Sequence, residues 1–154
     1  MIHTILFDWG TYNALNTLPK AAMLGMRLTE IPPWDFSRRM RGREYFGSYS
    51  DFAGKAFTTI TAHAPYYNLV SDSPEIASRI IKIIGSAVKR ASMACAEVFN
   101  SHIGWRIYMD QLDLDTVADV VKKLLENTLG ACILALKQLV LEGRSVVLMR
   151  LKLS

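Results

Sequence analysis

Two histidines, His63 and His102, occupy places where a parallel α/β protein can do chemistry. The first follows the β-rich run Phe57-Thr58-Thr59-Ile60 and opens into Ala64-Pro65-Tyr66-Tyr67-Asn68-Leu69. The second lies in Val98-Phe99-Asn100-Ser101-His102-Ile103-Gly104-Trp105. The carboxyl ends of parallel strands face the active site in such folds. One βα unit separates the pair, and adjacent strands lie about 4.8 Å apart, so both rings can approach one metal ion. Imidazole suits zinc, iron and manganese, using one ring nitrogen while a neighbour orients the other. The alternative for each ring is a hydrogen bond to loop backbone.

Other side chains belong to the same end of the sheet. Glu30 closes the second strand, where a carboxylate can act as a base or metal ligand, or form a salt-bridged rim. Tyr66 and Tyr67 can stack on a base or sugar ring, or pack the loop. Trp34 and Trp105 also follow strands and can line the cleft, although core or rim packing is their more ordinary role. Asp110, Asp113 and Asp115 lie near a helix start, where capping is the ordinary job. His3 starts the first strand, at the wrong end for the site.

The elements that position these residues alternate. A strand over 2–7 is broken by Gly10 and Asn13. Asn16 or Thr17 caps a helix with Pro19 early in it, ended by Gly25. Residues 26–31 form a second strand that Pro32-Pro33 terminates. Residues 34–47 read as a polar-aromatic loop and 50–55 as a short helix. Strand three spans 58–62. Asp72 or Ser73 caps the next helix, with Pro74 at its first position and Glu75 just after. Ile76, Ile80, Ile83, Ile84, Ala87 and Val88 recur at helical spacing and define its buried stripe. Strand four spans 95–99. Asp113 caps a helix with the stripe Val117, Val120, Val121, Leu124 and Leu125, punctuated by Asn127 and Gly130. Strand five spans 131–136. Strict βα alternation implies a parallel sheet with right-handed crossovers.

Composition limits the possibilities. At 154 residues, 51% hydrophobic, the chain is large enough for one domain with a sizeable core. A net charge of +4 is compatible with phosphate-bearing partners. The cluster Arg38-Arg39-Met40-Arg41-Gly42-Arg43 reads as a solvated loop. Cys95 and Cys132 sit among apolar residues and are expected as buried free thiols, which suits a reducing cytoplasm. No CxxC supports a thiolate zinc site. GxGxxG, GxxxxGK[ST] and GxSxG are all absent, which weighs against dinucleotide, P-loop and serine-hydrolase sites. No run approaches the ~18 apolar residues of a membrane span.

The string His63-Ala64-Pro65-Tyr66-Tyr67-Asn68-Leu69 resembles the strand-end motif of the endonuclease IV family, within the xylose-isomerase-like TIM barrels. There a histidine precedes a tyrosine and an Asn-Leu pair. The segment from Val98 to Trp105 resembles the next motif, His-Pro-Gly, with Ile103 in place of proline. The resemblance covers residues 2–136. It implies an α/β fold, a (β/α)8 TIM barrel with zinc, manganese or another divalent metal at its carboxyl face. It also implies metal-dependent phosphodiester hydrolysis at abasic sites in DNA; relatives isomerise or epimerise sugars and sugar phosphates. By motif match His63 and His102 are the expected metal ligands. Glu30 is the expected catalytic carboxylate, and Tyr66, Tyr67, Asn68 and Trp105 the expected substrate or DNA contacts.

A complete barrel takes ~250 residues, so residues 1–136 are expected to form a partial barrel of about five βα units. Residues 137–154 form an atypical tail: where the family has a glutamate, this chain reads Lys137-Gln138-Leu139-Val140. One permissible codon set over 133–140, read in a shifted frame, gives Glu-Thr-Thr-Gly-Ser, and 148–154 gives Asp-Glu-Val-Glu-Ile. The tail is therefore expected to derive from a frameshift, with activity weak or lost. Open sheet edges lead us to expect self-association.

Overall fold

The computed structural model describes residues 10–12, 15–37, 42–56, 59–69, 71, 73–102, 104, 114–128, 133–137 and 149–151. The strand expected over 2–7 and the contributions expected of His3, Trp105, Asp110, Asp113 and Cys132 lie outside these residues. The elements run β1 Gly10–Tyr12, α1 Leu18–Met23, β2 Leu28–Ile31, α2 Pro33–Ser37, α3 Arg43–Ala56, β3 Thr59–His63, α4 Pro74–Met93, β4 Val98–His102, α5 Leu114–Thr128, β5 Ile133–Lys137 and β6 Met149–Leu151. They form one sheet in the order β1-β2-β3-β4-β5-β6. The first five strands are parallel and β6 runs antiparallel to β5. This is an α/β partial barrel.

Local chemistry explains most boundaries. Gly25 takes φ 75 just beyond α1, a left-handed position that favours glycine. Pro74 opens α4, and the Ser73 hydroxyl accepts from the Ile76 amide at 3.4 Å. On α4, Ile80, Ile81, Ile84, Ala87, Val88 and Ala91 are buried. Ile76, expected in this stripe, lies in the first turn and is 52% exposed.

Four further expectations are corrected. Gly10 belongs to a strand, paired with Leu28, rather than ending one. The loop expected over 34–47 is largely helical: α2 and α3 bury Asp35, Phe36, Phe46, Tyr49 and Ala53. Their aromatics make the floor of the core, with Phe36 stacked on Phe46 at 5.3 Å and edge-on to Phe99 at 5.7 Å. Arg90 of α4 donates to the Phe36 carbonyl at 3.0 Å and lies over both phenyl rings. Strand four begins three residues later than expected, at Val98, because Cys95 adopts φ 57 and turns the chain. Cys95 is exposed, not buried, with its thiol 3.0 Å from the Ser50 hydroxyl.

Side chains alternate across the sheet with a period of two. Thr29, Ile31, Ile60, Ala62, Phe99 and Ser101 are buried on the face that the helices cover. Leu28, Glu30, Thr59, Thr61, Val98 and Asn100 are half-buried on the opposite, inner face.

On the covered face, Tyr49 and Thr29 share a hydroxyl–hydroxyl bond of 3.2 Å. Burial pushes the Tyr49 hydroxyl well above the usual tyrosine range, against the opposing effect of Thr29. An unfolded tyrosine ionises near pH ~10 while Tyr49 keeps its proton in the fold, so stability must fall as pH rises above that value. The expected slope from this group is about 1.4 kcal/mol per pH unit. Tyr49→Phe should remove that slope and cost about 1 kcal/mol at neutral pH. Urea midpoints between pH 8 and 11 check this; identical alkaline slopes in the two proteins would contradict it.

Candidate metal and ligand site

His63 and His102 are the last residues of β3 and β4, and both continue the inner-face alternation through Thr61 and Asn100. They are 7% and 4% exposed. Register pairs His63 with Asn100, so His102 stands two residues farther along its strand. The rings nevertheless meet, with centroids 5.1 Å apart. Tyr66 completes the cluster, stacked on His102 at 4.6 Å and 5.5 Å from His63. Nδ1 of His63 lies 2.9 Å from the Ala64 carbonyl, so that nitrogen carries the hydrogen and donates. In a neutral ring this carbonyl fixes the tautomer that keeps the hydrogen on Nδ1.

The loops after β3 and β4 are locked together. The Ala64 amide donates to the Asn100 carbonyl at 2.7 Å, extending the ladder past the strand end. Gly104 is buried at φ +116, and a Cβ there would lie 2.8 Å from the Asn68 Cα, with the Asn68 side-chain oxygen closer still. Asn68 therefore packs a neighbouring loop. Tyr67 is half-buried against the core. Tyr66 is 57% exposed and joins Trp34, 48% exposed, with Pro33, Ser37, Pro65 and Tyr67 around an open cleft of about 480 Å³. Trp34, for which core packing, rim packing and cleft lining were all open, is a wall of that cleft.

Below the histidines, Oε2 of Glu30 accepts from the Asn100 amide nitrogen at 2.6 Å and from the Thr61 hydroxyl at 3.2 Å. Sequence reasoning singled out Glu30 but passed over Thr61 and Asn100. The signal was present in the alternation: each stands two residues before a strand-end histidine, on the same face.

Two imidazoles on one tetrahedral zinc, each at ~2.0–2.1 Å, place their ring centroids ~5 Å apart. The observed separation fits that arrangement. Among the described residues no group of three or more His, Cys, Asp or Glu could hold a metal. The pair alone would fill only two positions of a shell that needs at least three protein ligands.

No family model matches the chain. An uncharacterized protein of Methanocaldococcus jannaschii is 45% identical over 122 residues, which is 79% of this chain and 37% of that protein. The chain thus spans well under half the length of this relative. Among solved structures, endonuclease IV from Thermus thermophilus superposes with a TM-score of 0.67 at 13% identity, over 84% of this chain and 51% of that one. D-psicose 3-epimerase from Clostridium cellulolyticum, solved with D-tagatose, gives 0.66 at 15% identity over 81% and 50%. A xylose isomerase domain protein from Planctomyces limnophilus gives 0.66 at 15% identity over 87% and 55%. The structural neighbours are xylose-isomerase-like TIM barrel proteins, endonuclease IV and sugar epimerases among them. The chain carries about half of such a barrel. Among the described residues no helix is long and apolar enough to cross a membrane.

Proposed function

We propose that residues 1–136 are the N-terminal part of a metal-dependent barrel enzyme of the endonuclease IV type, a phosphodiester hydrolase acting at abasic sites in DNA. The observation that carries this reading is the meeting of His63 and His102 at adjacent strand ends, 5.1 Å apart. Both would hold the metal, with zinc as the first candidate. When bound, such an ion supplies Lewis acidity toward a phosphoryl oxygen and an activated water. Tyr66 shields one face of His102 and leaves the rest of its ring to the cleft, where it and Trp34 would stack on a base or sugar.

With two ligands, the chain alone is expected to cleave abasic DNA weakly or not at all. The test is a hybrid of residues 1–136 with the part of the M. jannaschii relative that follows the matched region. Zinc-dependent cleavage of an abasic duplex supports the hydrolase reading. Epimerisation of D-tagatose without cleavage supports the second reading, a sugar or sugar-phosphate isomerase or epimerase, which the epimerase likeness favours. A folded, zinc-loaded hybrid inert on both substrates would refute either enzyme reading and leave a non-enzymatic remnant.

Residues 137–154 belong, in this proposal, to a tail read in a shifted frame; the antiparallel pairing of β6 departs from the βα pattern. The nucleotide sequence of the gene decides this. We also propose that the chain self-associates through its exposed surfaces, among them Met23 and Leu24, 88% and 66% exposed. A monomeric mass in light scattering at micromolar concentration would exclude that.

A further inference from the structure

The inner face below the histidines carries a polar group whose orientation is fixed. As a carboxylate, Glu30 can only accept, so the Asn100 side chain must turn its nitrogen toward it. The reverse orientation would set two acceptor oxygens 2.6 Å apart. Thr61 adds a second donor to the same carboxylate oxygen. Oδ1 of Asn100 and Oε1 of Glu30 take no protein donor among the described residues. Both residues are half-buried on the inner face, and Asn100 stands opposite His63 and two residues before His102.

We propose that Asn100 contacts the ligand, accepting through Oδ1 a hydrogen bond from a sugar hydroxyl held beside the histidine pair, and that Glu30 is its positioning residue. A pair of acceptors is matched by a donor, which a sugar hydroxyl supplies and an ionised phosphate oxygen does not. The hydroxyl can come from a free ketose or from the deoxyribose of an abasic site, so the inference rests on the site reading above without depending on which enzyme it serves.

The lock is read first without any ligand. In the 15N-labelled full chain, the Asn100 side-chain amide protons should be shifted and slowly exchanging. E30Q should release them, because glutamine presents both a donor and an acceptor and permits the reversed orientation. Zinc binding, followed at the His63 and His102 ring resonances, tests the metal reading separately.

The zinc-treated chain is then titrated with D-tagatose, with duplex DNA carrying a natural abasic site, and with inorganic phosphate. At least one sugar probe should move the Asn100 amide resonance, and which one identifies the source. E30Q should weaken that probe's binding about tenfold. E30Q combined with N100D should restore it to within about threefold, because donor and acceptor are exchanged while an acceptor still faces the ligand. Unchanged affinity in E30Q overturns the proposal. So does an Asn100 response to phosphate alone, or silence to both sugar probes, whether or not zinc binds.

Discussion

The chain in which His63 and His102 are both alanine is expected to bind zinc far more weakly than the parent chain. Loss of one outer-shell partner of a metal ligand already costs about 10–100-fold in metal affinity, so removing both imidazoles should exceed ~100-fold. The double variant should keep its fold, because both residues lie at strand ends on the inner face rather than under the helices. Elemental analysis beside circular dichroism measures both quantities. Equal zinc in parent and variant would place the metal elsewhere and remove the basis of the proposed function. Zinc absent from both would show that two ligands do not suffice. The single variants are informative too. His63 has its tautomer set by the Ala64 carbonyl, and His102 has its ring stacked by Tyr66, so each depends on a different loop contact.

Gly104→Ala is expected to be the most destabilising single change among the site loops. At φ +116 any Cβ strains the backbone, which costs about 1–3 kcal/mol. The same Cβ enters space held by Asn68, including its Cα, and forced overpacking costs a further ~1–3 kcal/mol. Together these come to about 2–6 kcal/mol, comparable with the lower end of a small domain's stability of about 5–15 kcal/mol. Because Gly104 lies two residues beyond His102, the displacement should also loosen the ring pair. Urea unfolding gives the first quantity and zinc retention the second. A shift below about 1 kcal/mol would mean that the Asn68 loop yields freely, and that the two loops do not hold each other.

Much of this was legible in the residues themselves. A histidine after a β-rich run and before a proline marks a strand end, and both histidines were found by their place after such runs. The α4 start was equally clear, since Ser73, Pro74 and Glu75 combine a cap, a fixed φ and a favourable charge. Helices α2 and α3 were obscured because Gly47, Gly54 and several aromatics interrupt the local helix signal, although Phe46, Tyr49 and Ala53 keep helical spacing. Their helicity comes from packing on the sheet, a tertiary effect. The start of β4 was misplaced because an apolar run such as Met93-Ala94-Cys95-Ala96 has no period that separates turn from strand. The Glu30–Asn100 bond joins residues 70 apart, and only the sheet register brings them together.

The short final strand has a consequence of its own. β6 holds the outer edge of β5 through three residue pairs, Leu134↔Leu151, Ala135↔Arg150 and Leu136↔Met149. A strand continuing the parallel order would claim that same edge, and the β4–β5 ladder shows that five pairs fit there. The edge is therefore contested ground. β6 caps that edge with fewer pairs than β5 can make, so a longer parallel strand would be expected to displace it.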